Sequence, residues 1–419
     1  MSRPGQRPNL PVSAARIAAD IDKLAAITEP GRPWTRRAFS PLHREGRAWL
    51  ADRFQAAGLE TRIDASGNLI GRRAGRLPGS GTLMLGSHSD TVPDGGRFDG
   101  IAGVIAALEV ARSLADAGIQ LDHDLEIVDF LAEEVSIFGV SCIGSRGMAG
   151  VRPPEWLERQ AEGMTLAQGL VAAGGREAPD PARQDIKAFL ELHIEQGPVL
   201  ETEKRDIGIV SAIAGIARIE IVLEGRADHA GTTPMGARRD ALVAASKLVL
   251  GIEHLATDLS RQPRHFAATV GEFAMLPNAA NVVPSNVRML VDVRSEQRDD
   301  LDNFAAALND LCISVAEKDH VDVSPRRISD APAVRMDDGI GGMLANATES
   351  LGGSHRQLAS GAGHDAAFMA RISRAAMIFI PCLGGRSHAP EEFAENDDIA
   401  FGAAVLLETV RALDRQISE

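Results

Sequence analysis

Four short, largely apolar runs, Thr82–Leu85, Leu125–Leu131, Ala188–Leu192 and Ala376–Ile380, each give way within a few residues to ionisable side chains. Runs of this length, bounded by turn residues and rich in Leu, Ile and Phe, read as buried strands of a sheet covered on both faces. Helical spacing follows the first run from about Ile101 to Ala117, where Gly118 stops it, and closes the chain from about Ile399. The fold class that accommodates this alternation is α/β, and ligands of open α/β sheets collect outside the carboxyl ends of the strands. That edge is where the ionisable residues stand.

The richest of these strand ends is Gly86-Ser-His-Ser-Asp-Thr-Val-Pro-Asp-Gly-Gly-Arg-Phe-Asp-Gly100. His88 and Asp90 leave the strand, Asp99 stands just before a helix, and four glycines let the loop bend sharply. A surface turn would use the same residue types. The second run ends in Ala132-Glu133-Glu134, the third delivers His193 and then Ile194-Glu195-Gln196-Gly197, and the fourth leads through Cys382 to Arg386-Ser387-His388. Taken singly, each histidine is an ordinary loop or core residue and Glu133-Glu134 a solvated acidic pair. Five candidates on one edge, His88, Asp99, Glu134, His193 and His388, shift the weight toward a metal centre. Imidazole and carboxylate suit zinc, manganese, cobalt or nickel, and without cysteine ligands the site stays open for catalysis. Two such ions flanking a shared carboxylate can acidify a water between them. Of the paired glutamates, one can ligate while its neighbour serves as general base.

A chain of 419 residues exceeds a single core. Near Ile209 the pattern changes to a partly alternating strand at Ile216–Leu223. It is followed by a helix at about Arg238–Ala256, strands at Phe266–Phe273 and Val287–Val293, a helix at about Asp299–Glu317 and a strand near Val321–Ser324. This strand, helix, two strands, helix, strand series predicts a ferredoxin-like α+β domain inserted at 210–327, with 1–209 and 328–419 forming the catalytic domain around a mixed sheet.

The formal charge of −14 argues against nucleic acid or an anionic membrane as partner. Met1–Pro8 lacks the apolar core of a signal peptide and no apolar run approaches bilayer length, so a cytoplasmic location is expected. Cys142, Cys312 and Cys382 read as reduced, buried thiols, with Cys382 the one nearest a candidate ligand.

Over nearly its whole length the sequence resembles the di-metal aminoacylase/carboxypeptidase superfamily, and within it the hydantoinase/carbamoylase branch. That branch contains N-carbamoyl-L-amino-acid hydrolases, allantoate amidohydrolases and β-ureidopropionases. The resemblance runs through Gly86–Pro93, Gly95–Gly100, Glu133-Glu134, Glu191-Leu-His-Ile-Glu-Gln-Gly197, Asp228-His-Ala-Gly-Thr-Thr-Pro234, Pro277-Asn-Ala-Ala-Asn-Val-Val-Pro284, Ser360-Gly-Ala-Gly-His-Asp365 and Ser387-His-Ala-Pro390. It implies two divalent ions, zinc or alternatively manganese, cobalt or nickel. His88 and His193 would hold one, Glu134 and His388 the other, with Asp99 between them. Glu133 would be the catalytic base, and Asp90 would orient His88 from behind.

In the inserted domain, the resemblance assigns His229 to the oxyanion in the active site of the partner subunit of a homodimer. Asn281 and Arg294 would bind a substrate carboxylate, and Gln196 the carbamoyl or amide end. His364 and Asp365 open a helix, where a structural cap and a substrate contact stand equal. The implied reaction is cleavage of the ureido C–N bond of N-carbamoyl-L-amino acids to amino acid, ammonia and carbon dioxide. Allantoate or β-ureidopropionate are the alternatives, and an inactive metal-binding scaffold dimer is a remote one. One departure stands out: the branch's Gly-Ser-Arg-Phe after the glutamate pair is Val135-Ser-Ile-Phe138 here.

Overall fold

The computed structural model describes residues 10–178, 181–262 and 264–418, so the Met1–Pro8 stretch lies outside the described residues. The chain divides into two compact units: Met1–Ser211 with Met336–Gln357 and His364–Glu419, and Ala212–Arg335 with Leu358–Gly363.

The first unit is built on four parallel strands: β1 (Thr82–His88), β2 (Asp124–Phe130), β3 (Ile186–Ile194) and β4 (Arg374–Ile380). Their spatial order is β2-β1-β3-β4. Antiparallel neighbours flank them, Leu69–Arg73 beside β2 and Ile207–Ile213 beside β4, so the sheet is mixed. Every residue of β1 is buried, which accounts for its unbroken apolar character. The chain leaves β1 for β2 on one side and later reaches β3 on the other. The carboxyl ends of β1 and β3 therefore bound the crevice where strand order reverses. Helix α1 (Ile101–Asp116) connects β1 to β2 and is buried nearly all round. The sequence pattern missed the strands Glu60–Ile63, Ile207–Ile213 and His355–Ser360. Glu60–Ile63 is mostly exposed and carries no core signal, and Ile207–Ile213 runs almost directly into the next strand.

The second unit has a four-stranded antiparallel sheet in the order Phe266–Leu276, Asn286–Ser295, Gly215–Glu224, Asp322–Ala331. Helices Ala241–Ser260 and Arg298–Asp319 contribute Leu248, Ile252, Phe304 and Leu308 to its core, against Ile219, Ile221, Val291 and Val293 of the strands. This is the ferredoxin-like arrangement. The unit reaches past 327 because its last strand continues to Ala331, paired along Gly215–Glu224, and it takes in Leu358–Gly363 far downstream. No helix among the described residues is long and apolar enough to cross a membrane.

One helix of the first unit turns polar groups inward. In Pro41–Ala56, capped by the Ser40 hydroxyl, Arg47 Nε donates to Asp129 Oδ2 at 3.0 Å, and His43 is only 1 % exposed with Nε2 unpaired among the described residues. Burial, aided by the Arg47 charge, lowers the His43 imidazole to about 3. The folded chain thus refuses a proton that the unfolded chain takes up below about pH 6.5. This contribution to stability is intact above that pH and is lost, at up to about 1.4 kcal/mol per pH unit, as pH falls toward about 3. Urea unfolding across that window should show the slope in the wild type and a shallower one in His43→Leu. Identical slopes would refute the assignment.

Candidate metal centre

The carboxyl ends of β1–β4 bring the expected residues together. His88 closes β1, and Asp99 returns beside it through a turn in which Gly100 has φ of 66°. A side chain at Gly100 would lie 2.4 Å from His88 Nε2, so only glycine lets the turn pass the imidazole. Asp99 Oδ1 lies 3.5 Å from His88 Nε2 and 3.2 Å from His193 Nε2. Its other oxygen, Oδ2, lies 3.3 Å from His388 Nε2, and Glu134 Oε1 stands 3.2 Å from that same nitrogen. Two clusters result, His88-Asp99-His193 and Asp99-Glu134-His388, each with its ligand atoms within 4.8 Å of one another. Asp99 belongs to both.

The rings are held ready for this. His88 Nδ1 lies 3.1 Å from the Asp90 carbonyl and His193 Nδ1 3.0 Å from that of Ile194. A proton held on each Nδ1 leaves Nε2 of each ring an acceptor on the Asp99 side, that of His193 taking the Gly100 amide at 3.2 Å. Asp90 also accepts the Glu133 and Glu134 amides at 3.3 Å each, while its Oδ1 faces His88 Nδ1 at 3.5 Å. Ala132, Gln196 and His388 hold φ of 55°, 55° and 54° in these loops. Such backbone costs about 1–3 kcal/mol per residue and persists where surrounding contacts enforce it.

Electrostatics fit a cation. Burial raises the Asp99 carboxyl, but His193, His388 and His88 outweigh it and leave it well below the usual range. Asp99 and Glu134 in turn raise His388 to about 10. Protons therefore stand where positive charge is wanted, and divalent ions would take their place. Gln196 Nε2 donates to Asp99 Oδ2 at 2.7 Å, while its buried Oε1 has no partner among the described residues, an acceptor still to be satisfied. Glu133 has Oε2 3.7 Å from His88 Nε2, and burial pushes its carboxyl well above the ordinary range despite the attraction of His88. A carboxyl tuned this way exchanges protons nearer neutrality than an exposed one.

The model of the Peptidase family M20/M25/M40 matches residues 84–412. The chain belongs to the M20/M25/M40 family. The N-carbamoyl-L-amino-acid amidohydrolase of Paenarthrobacter aurescens is 35% identical over 408 residues, covering 96% of this chain and 98% of that protein. The allantoate amidohydrolase of Bacillus subtilis is 35% identical over 364 residues, covering 85% of this chain and 87% of that protein. Among solved structures, a hydantoinase/carbamoylase family amidase from Burkholderia multivorans superposes with a TM-score of 0.90 at 36% identity, covering 97% of this chain and 98% of its own.

Within this M20/M25/M40 chain the structure gives the centre several further partners. Ser387 Oγ sits 2.6 Å from Asp99 Oδ2 and 2.7 Å from Glu392 Oε2, so its one proton serves one carboxylate at a time. Glu392 Oε1 accepts the Phe98 and Asp99 amides at 2.8 and 3.0 Å, tying the Asp99 loop to the His388 loop. Glu392 falls four residues after His388, the only signal the sequence offered. The thiol that touches the centre is that of Cys142, 3.6 Å from Glu133 Oε1; Cys382 is a buried thiol pushed up to about 12 by burial.

Asp365 does not cap the short helix Ala366–Met369 through its side chain. Its carboxyl accepts Ser145 Oγ at 2.5 Å, and the His364 ring packs edge-on against His193 with centroids 4.6 Å apart. Of the departing residues, Val135 is 67 % exposed, and Ile137 joins Phe39 and Phe138 in a small apolar cluster.

The other three candidates belong to the second unit. His229 forms a bridge with Val282, and the Ala230 amide donates to the Asn281 carbonyl at 3.0 Å, so His229 and Asn281 lie on adjoining loops. His229 Nδ1 accepts the Gly231 amide at 3.1 Å. Arg294 donates through Nε to Asp292 Oδ1 at 2.8 Å and through Nη1 to the Gly361 carbonyl at 2.7 Å.

Proposed function

We propose that the chain is a two-metal amidohydrolase that cleaves the ureido C–N bond of N-carbamoyl-L-amino acids to amino acid, ammonia and carbon dioxide. The observation that carries this reading is the division of Asp99, one oxygen toward His88 and His193 and the other toward His388. His88, Asp99 and His193 would hold one divalent ion, and Asp99, Glu134 and His388 the other. Zinc, manganese, cobalt or nickel bound there would supply Lewis acidity toward a carbonyl oxygen and toward water. Glu133 then takes a proton from the attacking water on its carboxylate and returns it to the departing nitrogen. Asp90 keeps His88 and the Glu133-Glu134 peptide in register for this transfer.

The second unit supplies recognition. Because Nδ1 of His229 accepts a hydrogen bond, the neutral ring carries its proton on Nε2, ready to donate to a developing oxyanion. We assign that donation to the partner subunit's site in a homodimer. Arg294, with Nε and Nη1 engaged, keeps Nη2 for a substrate carboxylate, and Asn281 joins it. Gln196 contacts the carbamoyl end.

The kinship with an allantoate amidohydrolase supports a second substrate, since allantoate also combines ureido groups with a carboxylate. Ammonia release from N-carbamoyl-L-amino acids, allantoate and β-ureidopropionate, measured on metal-reconstituted protein, separates these readings. The first substrate should have the highest kcat/KM, and Arg294→Met should raise its KM by about 10-fold or more, the loss of a charge-assisted hydrogen bond. Metal uptake with no turnover on any of the three would leave only a binding scaffold.

A further inference from the structure

Arg36 is the largest charged side chain wholly inside the first unit, 2 % exposed, and among the described residues no carboxylate pairs with it. Every hydrogen bond of its guanidinium goes to a main-chain carbonyl. Nε and Nη2 both reach Ser89 O, at 3.1 and 2.9 Å, and Nη1 reaches Leu24 O and Ile27 O at 2.6 and 2.9 Å. Its own backbone grips the residue on the far side of Asp90. The Arg36 amide donates to Thr91 Oγ1 at 2.8 Å, and the Thr91 amide returns to Arg36 O at 3.1 Å. The carboxylates of Asp129 and Asp90 attract it without pairing with it, and burying a guanidinium with no carboxylate in contact is unfavourable and calls for a reason.

A second, independent feature makes room for it. Gly46 lies inside the helix Pro41–Ala56, where glycine is a poor helix former. A methyl group there would lie 3.0 Å from Arg36 Cδ and 3.3 Å from its Nε. The helix thus carries a residue that weakens it at the point where Arg36 passes. Arg36 itself lies outside the segment that the family model matches.

What Arg36 holds is the back of the metal centre. Ser89 and Thr91 flank Asp90, whose carbonyl anchors the His88 ring and whose carboxylate accepts the amides of Glu133 and Glu134. We propose that Arg36 is a positioning residue that clamps Ser89–Thr91 in the register from which His88, Glu133 and Glu134 converge on Asp99. The assignment rests on the two-ion reading above. Because the clamped segment reaches ligands in both clusters, its release loosens both ions together.

The test is titration of metal-free protein with Mn²⁺ or Zn²⁺, by calorimetry and chelator competition, well below the melting temperature. Arg36→Met keeps the reach and removes every side-chain donor, Arg36→Lys restores charge and a single donor group, and Thr91→Val removes only the hydroxyl that accepts the Arg36 amide, leaving the Thr91 amide on Arg36 O. Arg36→Met should bind both ions about 10–100-fold more weakly, the range for residues that orient metal ligands. Arg36→Lys should recover part of the loss, and Thr91→Val should show a smaller one. Leu248→Ala, in the core of the second unit, destabilises without touching the clamp and should leave affinity unchanged; a matching loss there overturns the assignment.

A folded Arg36→Met protein with wild-type affinity at both sites also overturns it. If Arg36→Met does not fold, wild-type affinity in both Arg36→Lys and Thr91→Val does the same. Wild-type protein that takes up no ion sinks the metal-centre reading itself, and the clamp with it.

Discussion

Glu133→Gln should lose about 10²–10⁴-fold in hydrolytic rate while binding the same number of metal ions as the wild type. Glutamine preserves the size and hydrogen-bonding reach of the side chain but cannot accept a proton from water. Glu133 belongs to neither ligand cluster, so its loss leaves the cage of imidazoles and carboxylates intact. Its surroundings are those of a proton carrier: buried, beside His88, against the weakly acidic Cys142 thiol and next to Glu134. Metal content by elemental analysis and kcat on the same preparation decide the matter. Full turnover with full metal content would remove Glu133 from the mechanism.

Asp99→Asn should be the most damaging change to metal binding. The amide keeps one oxygen and replaces the other by a donor. Wherever that NH₂ points, it meets either His88 and His193 on one side or His388, Gln196 and Ser387 on the other. Either orientation sets a donor where a cation is wanted. Loss at both positions should exceed the roughly 10–100-fold expected for residues that only orient ligands. By contrast, Glu134→Gln and His388→Ala each touch one cluster and should lower the metal-to-protein ratio from two to one. An Asp99→Asn protein that keeps one ion at wild-type affinity would show that the carboxylate is not shared.

The residues legible in the sequence share one property. His88, Glu133, Glu134 and His193 stand at or just past the ends of buried parallel strands, and Asp99 just before a helix. Apolar runs and helix starts are local signals that survive without a structure. Residues whose roles come from contacts across long stretches of chain had no such signal. Glu392 serves the Phe98 and Asp99 amides nearly 300 positions away, Cys142 meets Glu133 through a loop, and Arg36 grips a turn more than 50 positions on. The role of Asp365, where cap and substrate contact stood equal, belongs with them, since Ser145, 220 positions away, takes its carboxyl.

By itself, the sequence determined the four central strands, the strand and helix series of the second unit and the set of ionisable side chains that stands at the sheet's carboxyl edge, because periodicity and turn chemistry are written in neighbouring residues. Only the tertiary structure decided that β1 lies between β2 and β3, which sets His88 beside His193, and that Asp99 turns its two oxygens to different partners. Strand pairing and the packing behind a loop are set by groups distant along the chain, and no local pattern records which of them meet.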